Sequence, residues 1–203
     1  MWDQRYQEEG FAYGTVPNDF LRTQCDQIPS GGRVLCLAEG EGRNAVYLAQ
    51  QGFVVTAVDQ SAVGLEKAQR LAEEKGTSLT TKVADLADYD LGFECWDGII
   101  SIWAHVPPVL RQQLHRQVVH ALKKGGVFIL EAYTRRQLDM SGVGGPPASQ
   151  PEMFMSRDEL MKELQGLEFC LAVEQERNIS EGRCHQGESA VVQLVASRPV
   201  VKG

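Results

Sequence analysis

Five short stretches of this chain read as strands buried on both faces. Residues 33 to 38, 53 to 58, 79 to 84, 96 to 102 and 127 to 132 are apolar or β-branched runs, too short for buried helices and lacking the strict polar alternation of a half-solvated sheet. Between them, 42 to 51, 61 to 75 and 108 to 122 carry apolar positions at helical spacing. That alternation predicts a parallel sheet covered by helices on both faces. Ser61 sits at an N-cap position and Gly76 at a C′ position, which bounds the second of these helices. A later helix is equally well marked: Ser156 and Glu159 form an S-x-x-E capping box ahead of Leu160, Met161 and Leu164, and Gly166 closes it. Beyond it, 168 to 179 and 188 to 197 are strand-like runs joined by a polar loop with no helix between them. The expected class is therefore α/β, a doubly wound, mostly parallel seven-stranded sheet that ends in an antiparallel hairpin. Only "MSGVGGPPASQPEM", 140 to 153, is rich enough in Gly and Pro to be a long loop, and it follows the fifth strand, at the end of the sheet where ligands bind in such folds.

Composition narrows the functional classes. The chain has 203 residues, 43% hydrophobic and 23% charged, enough for one domain with a proper core and too few for two full catalytic domains. The expectation is one domain over 1–203, with 1–28 a lid or an edge segment. A formal charge of -7 opposes broad attraction to phosphate backbones or anionic membranes, so neither nucleic acid nor membrane is an expected partner. No stretch approaches the ~18 apolar residues of a membrane span, and "MWDQRYQEEGF" lacks the features of a signal peptide, which points to a cytoplasmic protein. Cys25, Cys36, Cys95, Cys170 and Cys184 are odd in number and without CxxC spacing; they predict neither a disulfide framework nor a metal site.

The candidate chemistry begins in "VLCLAEGEGRNAVYLAQQG", 34 to 52. An apolar strand breaks at Gly40 and Gly42 and resumes as a helix. Two glycines there let the chain turn sharply and bring backbone N–H groups near a ligand, with the positive end of the helix from about Arg43 aimed at the same place. "GEGRNA" also satisfies G-x-G-x-x-A, a weak dinucleotide signal by itself. Asp59 ends the second strand in "VVTAVDQ", where a carboxylate can accept from both hydroxyls of a ribose. A nicotinamide nucleotide and an S-adenosyl nucleoside both fit, and so does a bare strand-to-helix turn with Asp59 helping to cap the helix at Ser61.

The rest of the chain separates these. "KVADL" ends the third strand at Asp85, "WDGIISIWAHVPP" forms the fourth, and "ALKKGGVFILEAYT" places a Lys-Lys-Gly-Gly turn before the fifth. With the closing hairpin, this ordered series resembles the class I S-adenosylmethionine-dependent methyltransferases over nearly the whole chain, with their Rossmann-like fold. "WDQRY", "LAEGEGRNA" and "AHVPP" are similar to the small bacterial methyltransferases related to the tellurite-resistance and thiopurine types. The resemblance implies S-adenosyl-L-methionine as cofactor, cradled by the loop residues Ala38, Glu39, Gly40, Gly42 and Asn44. It implies Asp59 on the ribose, Gln60 against the adenine, Asp85 accepting from the adenine amino group, Leu86 donating its backbone N–H to a ring nitrogen, and Ile102 over the methionyl part. The chain departs from the family where Cys36 stands for an acidic residue and Ala38 for a glycine. Glu39 or Glu41 then replaces the lost carboxylate opposite the cofactor's ammonium, or either is a solvated loop acid.

A sulfonium methyl is already electrophilic, so transfer needs positioning more than a dedicated base. The family resemblance points to a small acceptor that is a soft nucleophile, a thiol or a chalcogen oxyanion, with the protein a monomer or homodimer. His105, after the fourth strand, is the expected acceptor-orienting residue, and Arg177 is a second candidate for acceptor recognition, or a partner of Glu174 or Glu176 in its own hairpin. Arg183 and His185 lie in the same late group. His115 and His120 read as packing or surface residues. Two other readings stay open: a nicotinamide-dependent oxidoreductase, and a non-catalytic module that senses S-adenosylmethionine.

Overall fold

The computed structural model describes residues 2–200. Seven strands form one sheet: β1 (Arg33–Leu37), β2 (Val54–Asp59), β3 (Thr80–Val83), β4 (Trp96–Ile102), β5 (Leu122–Tyr133), β6 (Glu168–Glu181) and β7 (His185–Ser197). Their order is β3-β2-β1-β4-β5-β7-β6. The first five run parallel to one another, and β7 runs antiparallel between β5 and β6. This is the doubly wound sheet with a terminal hairpin that the sequence pattern predicts. Six helices accompany it among the described residues: α1 (Trp2–Tyr6), α2 (Asp19–Gln24), α3 (Arg43–Gln50), α4 (Ala62–Glu74), α5 (Pro108–Ala121) and α6 (Arg157–Glu163). None is long and apolar enough to cross a membrane.

The central strands β1, β4 and β5 are largely apolar because each buries both of its sides, whereas the edge strands β3 and β6 are mostly exposed. Val34 and Cys36 of β1 join Phe20, Leu21, Ala45, Leu48 and Leu65 on the face covered by α2, α3 and α4. Leu35 and Leu37 point the other way, into Leu114, Val118, Leu160 and Leu164 of α5 and α6. Successive side chains alternate between two hydrophobic layers. The chain leaves β1 for β2 in one direction and enters β4 on the other side, so the carboxyl ends of β1 and β4 border the crevice where the strand order reverses.

The caps form as their residues predict. Ser61 accepts from the Gly64 N–H at 3.0 Å, and Ser156 from the Glu159 N–H at 3.4 Å. Two expectations need correction. The Lys-Lys-Gly-Gly segment is a bulge within β5, since Trp96 pairs with Leu122 and Gly98 with Val127, leaving 123 to 126 without partners on β4. The terminal hairpin is also longer than its apolar runs: pairing continues to Glu181 opposite His185, leaving a connection of only Gly182, Arg183 and Cys184. Ladder hydrogen bonds need no apolar side chains, so the polar residues 180 and 181 stay in register with 186 and 185. The ribbon thereby carries Glu181 and His185 to the ligand end of the sheet.

Gly42 has a different reason from the one its motif suggests. It takes φ +90°, and a Cβ there would lie 2.4 Å from the Cβ of Ala68 on α4. Close packing of α3 against α4 requires it. Gly42→Ala is expected to destabilise the fold by about 2 to 4 kcal/mol, from the left-handed backbone and the overpacking together. In a chemical-denaturation double-mutant cycle, Ala68→Gly should recover about 1 kcal/mol of that loss; strictly additive effects would show that α3 and α4 relax independently.

Candidate functional site

The turn after β1 is built from carboxylates. Ala38 (φ 49°), Gly40 (φ 63°) and Gly42 (φ 90°) take left-handed backbone, which folds 38 to 42 tightly over the strand end. Asp59 fastens this turn to β2: its carboxylate accepts from the Gly40 N–H at 2.9 Å and the Ser61 N–H at 2.8 Å. Burial pushes its carboxyl above the usual range against those backbone donors. Asp59 therefore shapes the loop and caps its own turn, while each oxygen keeps a lone pair for another donor.

Glu39 settles where the positive end of α3 points. Its Oε1 accepts from the N–H groups of Asn44 at 3.0 Å and Ala45 at 2.8 Å, so the helix terminus faces a carboxylate of its own chain. Burial pushes the Glu39 carboxyl up to about 7, opposed by these N–H groups and by Arg43. Glu41 is different. It is 3% exposed, with Oε2 accepting from the Ala12 N–H at 2.7 Å and Oε1 from Lys67 Nζ at 2.9 Å. Its two oxygens are taken by the N-terminal segment and by Lys67 of α4, which leaves Glu39 as the loop acid that can face a ligand. Asn44 is turned to packing as well, its Oδ1 accepting from the Asn18 N–H at 2.9 Å.

The N-terminal segment lies over this loop. Tyr6 rests on Gly40 and Gly64: a Cβ on Gly40 would come within 2.6 Å of its hydroxyl, and one on Gly64 within 2.9 Å of its ring. The glycine at 40 thus makes room for a tyrosine. Around the same end, Gln60 is exposed, and Asp85 is exposed two residues beyond β3, its Oδ1 accepting from the Ala87 N–H at 2.9 Å. Leu86 and Ile102 are buried. Leu37, Leu86, Ser101 and Ala104 line a narrow cavity between the ends of β1 and β4.

His105 does not have the freedom expected of it. Its Nε2 accepts from the Tyr133 N–H at 3.1 Å, so Nδ1 carries the proton and donates to the Met153 carbonyl at 3.0 Å. Burial pushes this imidazole down to about 4. Both nitrogens tie the β4 exit to β5 and to the 140–153 loop, and none is left for an acceptor. Arg177 is likewise committed, though to neither Glu174 nor Glu176: within its own strand it lies 3.7 Å from Glu181. It reaches across to Glu131 on β5, at 2.7 and 3.0 Å, while Glu174 and Glu176 bond the Arg157 N–H and Arg136. His115 is buried against Glu163 at 2.6 Å, and His120 is exposed.

A buried polar cluster that the sequence reading missed completes the site. Glu131 and Glu181 are 0% and 5% exposed. Glu131 receives Arg177, Gln193 Nε2 at 2.6 Å and Asn18 Nδ2 at 2.6 Å. Glu181 receives Arg43, Asn18 Nδ2 at 2.8 Å and Trp103 Nε1 at 2.7 Å. Two carboxylates and two guanidinia balance. Trp103, at φ 59°, stacks on Tyr133 and His185. Glu131 was visible in sequence as the lone acid inside "VFILEAY"; Glu181 lies in a stretch of ordinary loop composition and gave no such signal, while His185 was already in the late group of acceptor-side candidates.

This turn suits a cation and not a pyrophosphate. The Asn44 and Ala45 N–H groups that would cradle phosphate are held by Glu39, and an added anion would meet that carboxylate and Asp59. A nucleoside with a ribose diol and a positively charged tail fits the acceptors present.

Comparison with known proteins agrees. Residues 34–126 match the family described as a methyltransferase domain. A curated relative, the 23S rRNA (uracil(747)-C(5))-methyltransferase of Pyrococcus horikoshii, is 32% identical over 101 residues, 44% of this chain; the chain spans only 24% of that relative's length. The structure solved for conversion of a disulfide bond into a thioacetal group during echinomycin biosynthesis superposes over 100% of this chain and 92% of its own, with a TM-score of 0.75 at 19% identity. TehB from Haemophilus influenzae superposes over 97% of this chain and 65% of its own, with a TM-score of 0.71 at 17% identity. Residues 34–126 thus match the methyltransferase-domain family, and the whole chain shares the fold of these solved structures.

Proposed function

We propose that this protein transfers a methyl group from S-adenosylmethionine to a small acceptor that reacts as a soft nucleophile, a thiol or a chalcogen oxyanion. The observation that carries the cofactor half is the Glu39 carboxylate spanning the first turn of α3, which favours a cationic ligand over a dinucleotide. In this reading Asp59 takes the ribose, Gln60, Asp85 and Leu86 border the adenine, Glu39 faces the α-ammonium, and Ala38, Gly40 and Ile102 line the methionyl path. Bound there, S-adenosylmethionine would supply a methyl on a sulfonium, and transfer to an acceptor lone pair returns the carbon–sulfur electron pair to sulfur and needs no oxidant. The chain's part is to hold the two partners, exclude water and take no proton from an acceptor that arrives ionised. Tyr6 over Gly40, and Glu41 gripping Ala12, suit a segment that closes over the cofactor. His105 acts as a strut. A small acceptor suits the formal charge of -7, which repels a polyanion such as RNA.

Purified protein should bind S-adenosylmethionine and S-adenosylhomocysteine in calorimetric titration and not NAD or NADP. Asp59→Ala should weaken both nucleosides by about 1.5 to 3 kcal/mol, as for hydrogen bonds to a charged group. Undiminished affinity in that variant would remove Asp59 from the site. Turnover on a thiol panel distinguishes an enzyme from a sensor that binds without reacting, and methylation of RNA in place of thiols would overturn the acceptor assignment.

Glu39 makes the cofactor affinity depend on pH. Its folded value of about 7 lies above its ordinary 4.5, so stability held with the proton on is lost as pH rises between those values. A cationic ligand offsets that loss by favouring the ionised carboxylate. Affinity for S-adenosylhomocysteine should therefore rise from pH 5.5 to 7.5, below the titration of the α-ammonium at about 8. In Glu39→Gln the rise should vanish. A pH profile that survives the substitution would assign the ammonium another partner.

A further inference from the structure

Two histidines stand at the ligand end of the sheet, and they differ in what their rings have left. His105 has both nitrogens committed, as above. His185, at the start of β7, has one. Its Nδ1 lies 2.6 Å from the Tyr133 hydroxyl. Among the described residues that hydroxyl has no other partner, so the Tyr133 O–H donates and Nδ1 accepts. The ring proton is thereby placed on Nε2. No described residue bonds Nε2, although His185 is only 7% exposed. Since every fully enclosed side-chain nitrogen and oxygen among the described residues is paired, Nε2 keeps some contact with solvent.

The surroundings fix this ring and link it to the cofactor loop. Tyr13 stacks on it with centroids 4.8 Å apart, and Trp103 at 5.1 Å. Trp103 directly follows Ile102 at the end of β4 and is anchored through Nε1 to Glu181. Tyr13 belongs to the segment whose Tyr6 rests on Gly40. Gly144 of the 140–153 loop closes on the pair: a Cβ there would meet the Tyr133 hydroxyl at 2.1 Å and His185 Nδ1 at 2.8 Å.

We infer that His185 holds the methyl acceptor, its Nε2–H donating a hydrogen bond to an anionic sulfur or oxygen of the nucleophile, with Tyr133 as a positioning residue that fixes the tautomer. This assignment rests on the methyl-transfer reading and gives that reading its acceptor-binding group. Burial, with Arg43, His105 and Arg5 nearby, pushes the His185 imidazole down to about 3. At neutral pH the ring is an uncharged donor. It can hold a thiolate without returning a proton to it, so the lone pair stays available for the methyl carbon.

The test uses the full chain with an aryl thiol and with selenite as acceptors. His185→Phe keeps an aromatic ring for Tyr13 and Trp103 to stack on and removes the donor; kcat/KM for the acceptor should fall about tenfold to a hundredfold, with S-adenosylhomocysteine affinity unchanged within about twofold. His185→Gln, whose amide N–H can reach the place of Nε2–H, should recover part of the loss. Nitrogen-15 spectra of the wild-type imidazole should show the Nε2–H tautomer, and Tyr133→Phe should mix the tautomers and lower kcat/KM while KM for the cofactor holds. Wild-type kcat/KM in His185→Phe, an equal loss of cofactor affinity, or an Nδ1–H tautomer in the wild type would overturn the assignment alone. A wild-type protein that binds S-adenosylhomocysteine and methylates neither probe nor any thiol of the panel would overturn the methyl-transfer reading, and this inference with it.

Discussion

The ligand end of this protein depends on two carboxylates kept out of water. An ionised side chain at the exposures of Glu131 and Glu181 is tolerable only when its lone pairs are filled, because desolvation costs several kcal/mol per ion and losing one partner of a buried pair costs about 3 to 5. The donors come from five places in the chain: Asn18 before α2, Arg43 at the start of α3, Trp103 after β4, Arg177 on β6 and Gln193 on β7. Asn18 alone donates to both acids, offers its backbone N–H to Asn44 and caps α2 through Leu21. None of these segments can shift without leaving a carboxylate lone pair unfilled, and a shift of Arg43 or Arg177 would leave a charge unpaired as well. A hydrophobic contact would bind as well but would let them slide, since dispersion lacks direction.

That constraint places the pieces around it. Arg43 opens α3, so its bond to Glu181 sets the angle at which the helix leaves the acidic turn. Trp103 is held in a left-handed conformation that an unanchored tryptophan would leave at a gain of about 1 to 3 kcal/mol, and its indole then forms one wall for His185. The hairpin contributes through its length: only because pairing continues past the apolar residues does β6 deliver Glu181, and β7 His185, to the end of the sheet where β1 and β4 open.

The acidic turn shows how one side chain sets a loop's electrostatics. A helix N-terminus is by itself an anion site. Here the residue two before Glu41 folds back over it, and the resulting surface attracts cations. The same hydrogen bonds cap the helix and set the charge that its first turn presents, and the upward push on Glu39 is the cost of holding that carboxylate half out of water.

The sequence by itself determined the architecture, because it follows from local rules. Strands apolar on both faces, helices between them bounded by Ser61 and Ser156, and a last pair of strands without a helix admit one arrangement of the sheet, and the carboxyl end of β1 follows as the ligand side. The candidate residues of the turn after β1 stood out for the same reason: they adjoin strand ends. Tertiary structure decided what each did there. Gly42 serves α4, Glu41 serves the N-terminal segment, and Glu39 alone is left for a ligand, a division made by partners 26 to 29 residues away. The acceptor side was hardest to read. His105 and His185 look alike in sequence, and only the bonds to Tyr133, from its N–H to one ring and its hydroxyl to the other, separate a strut from a free donor. Long-range hydrogen bonds fix which nitrogen carries a proton, and no local pattern of residues encodes them.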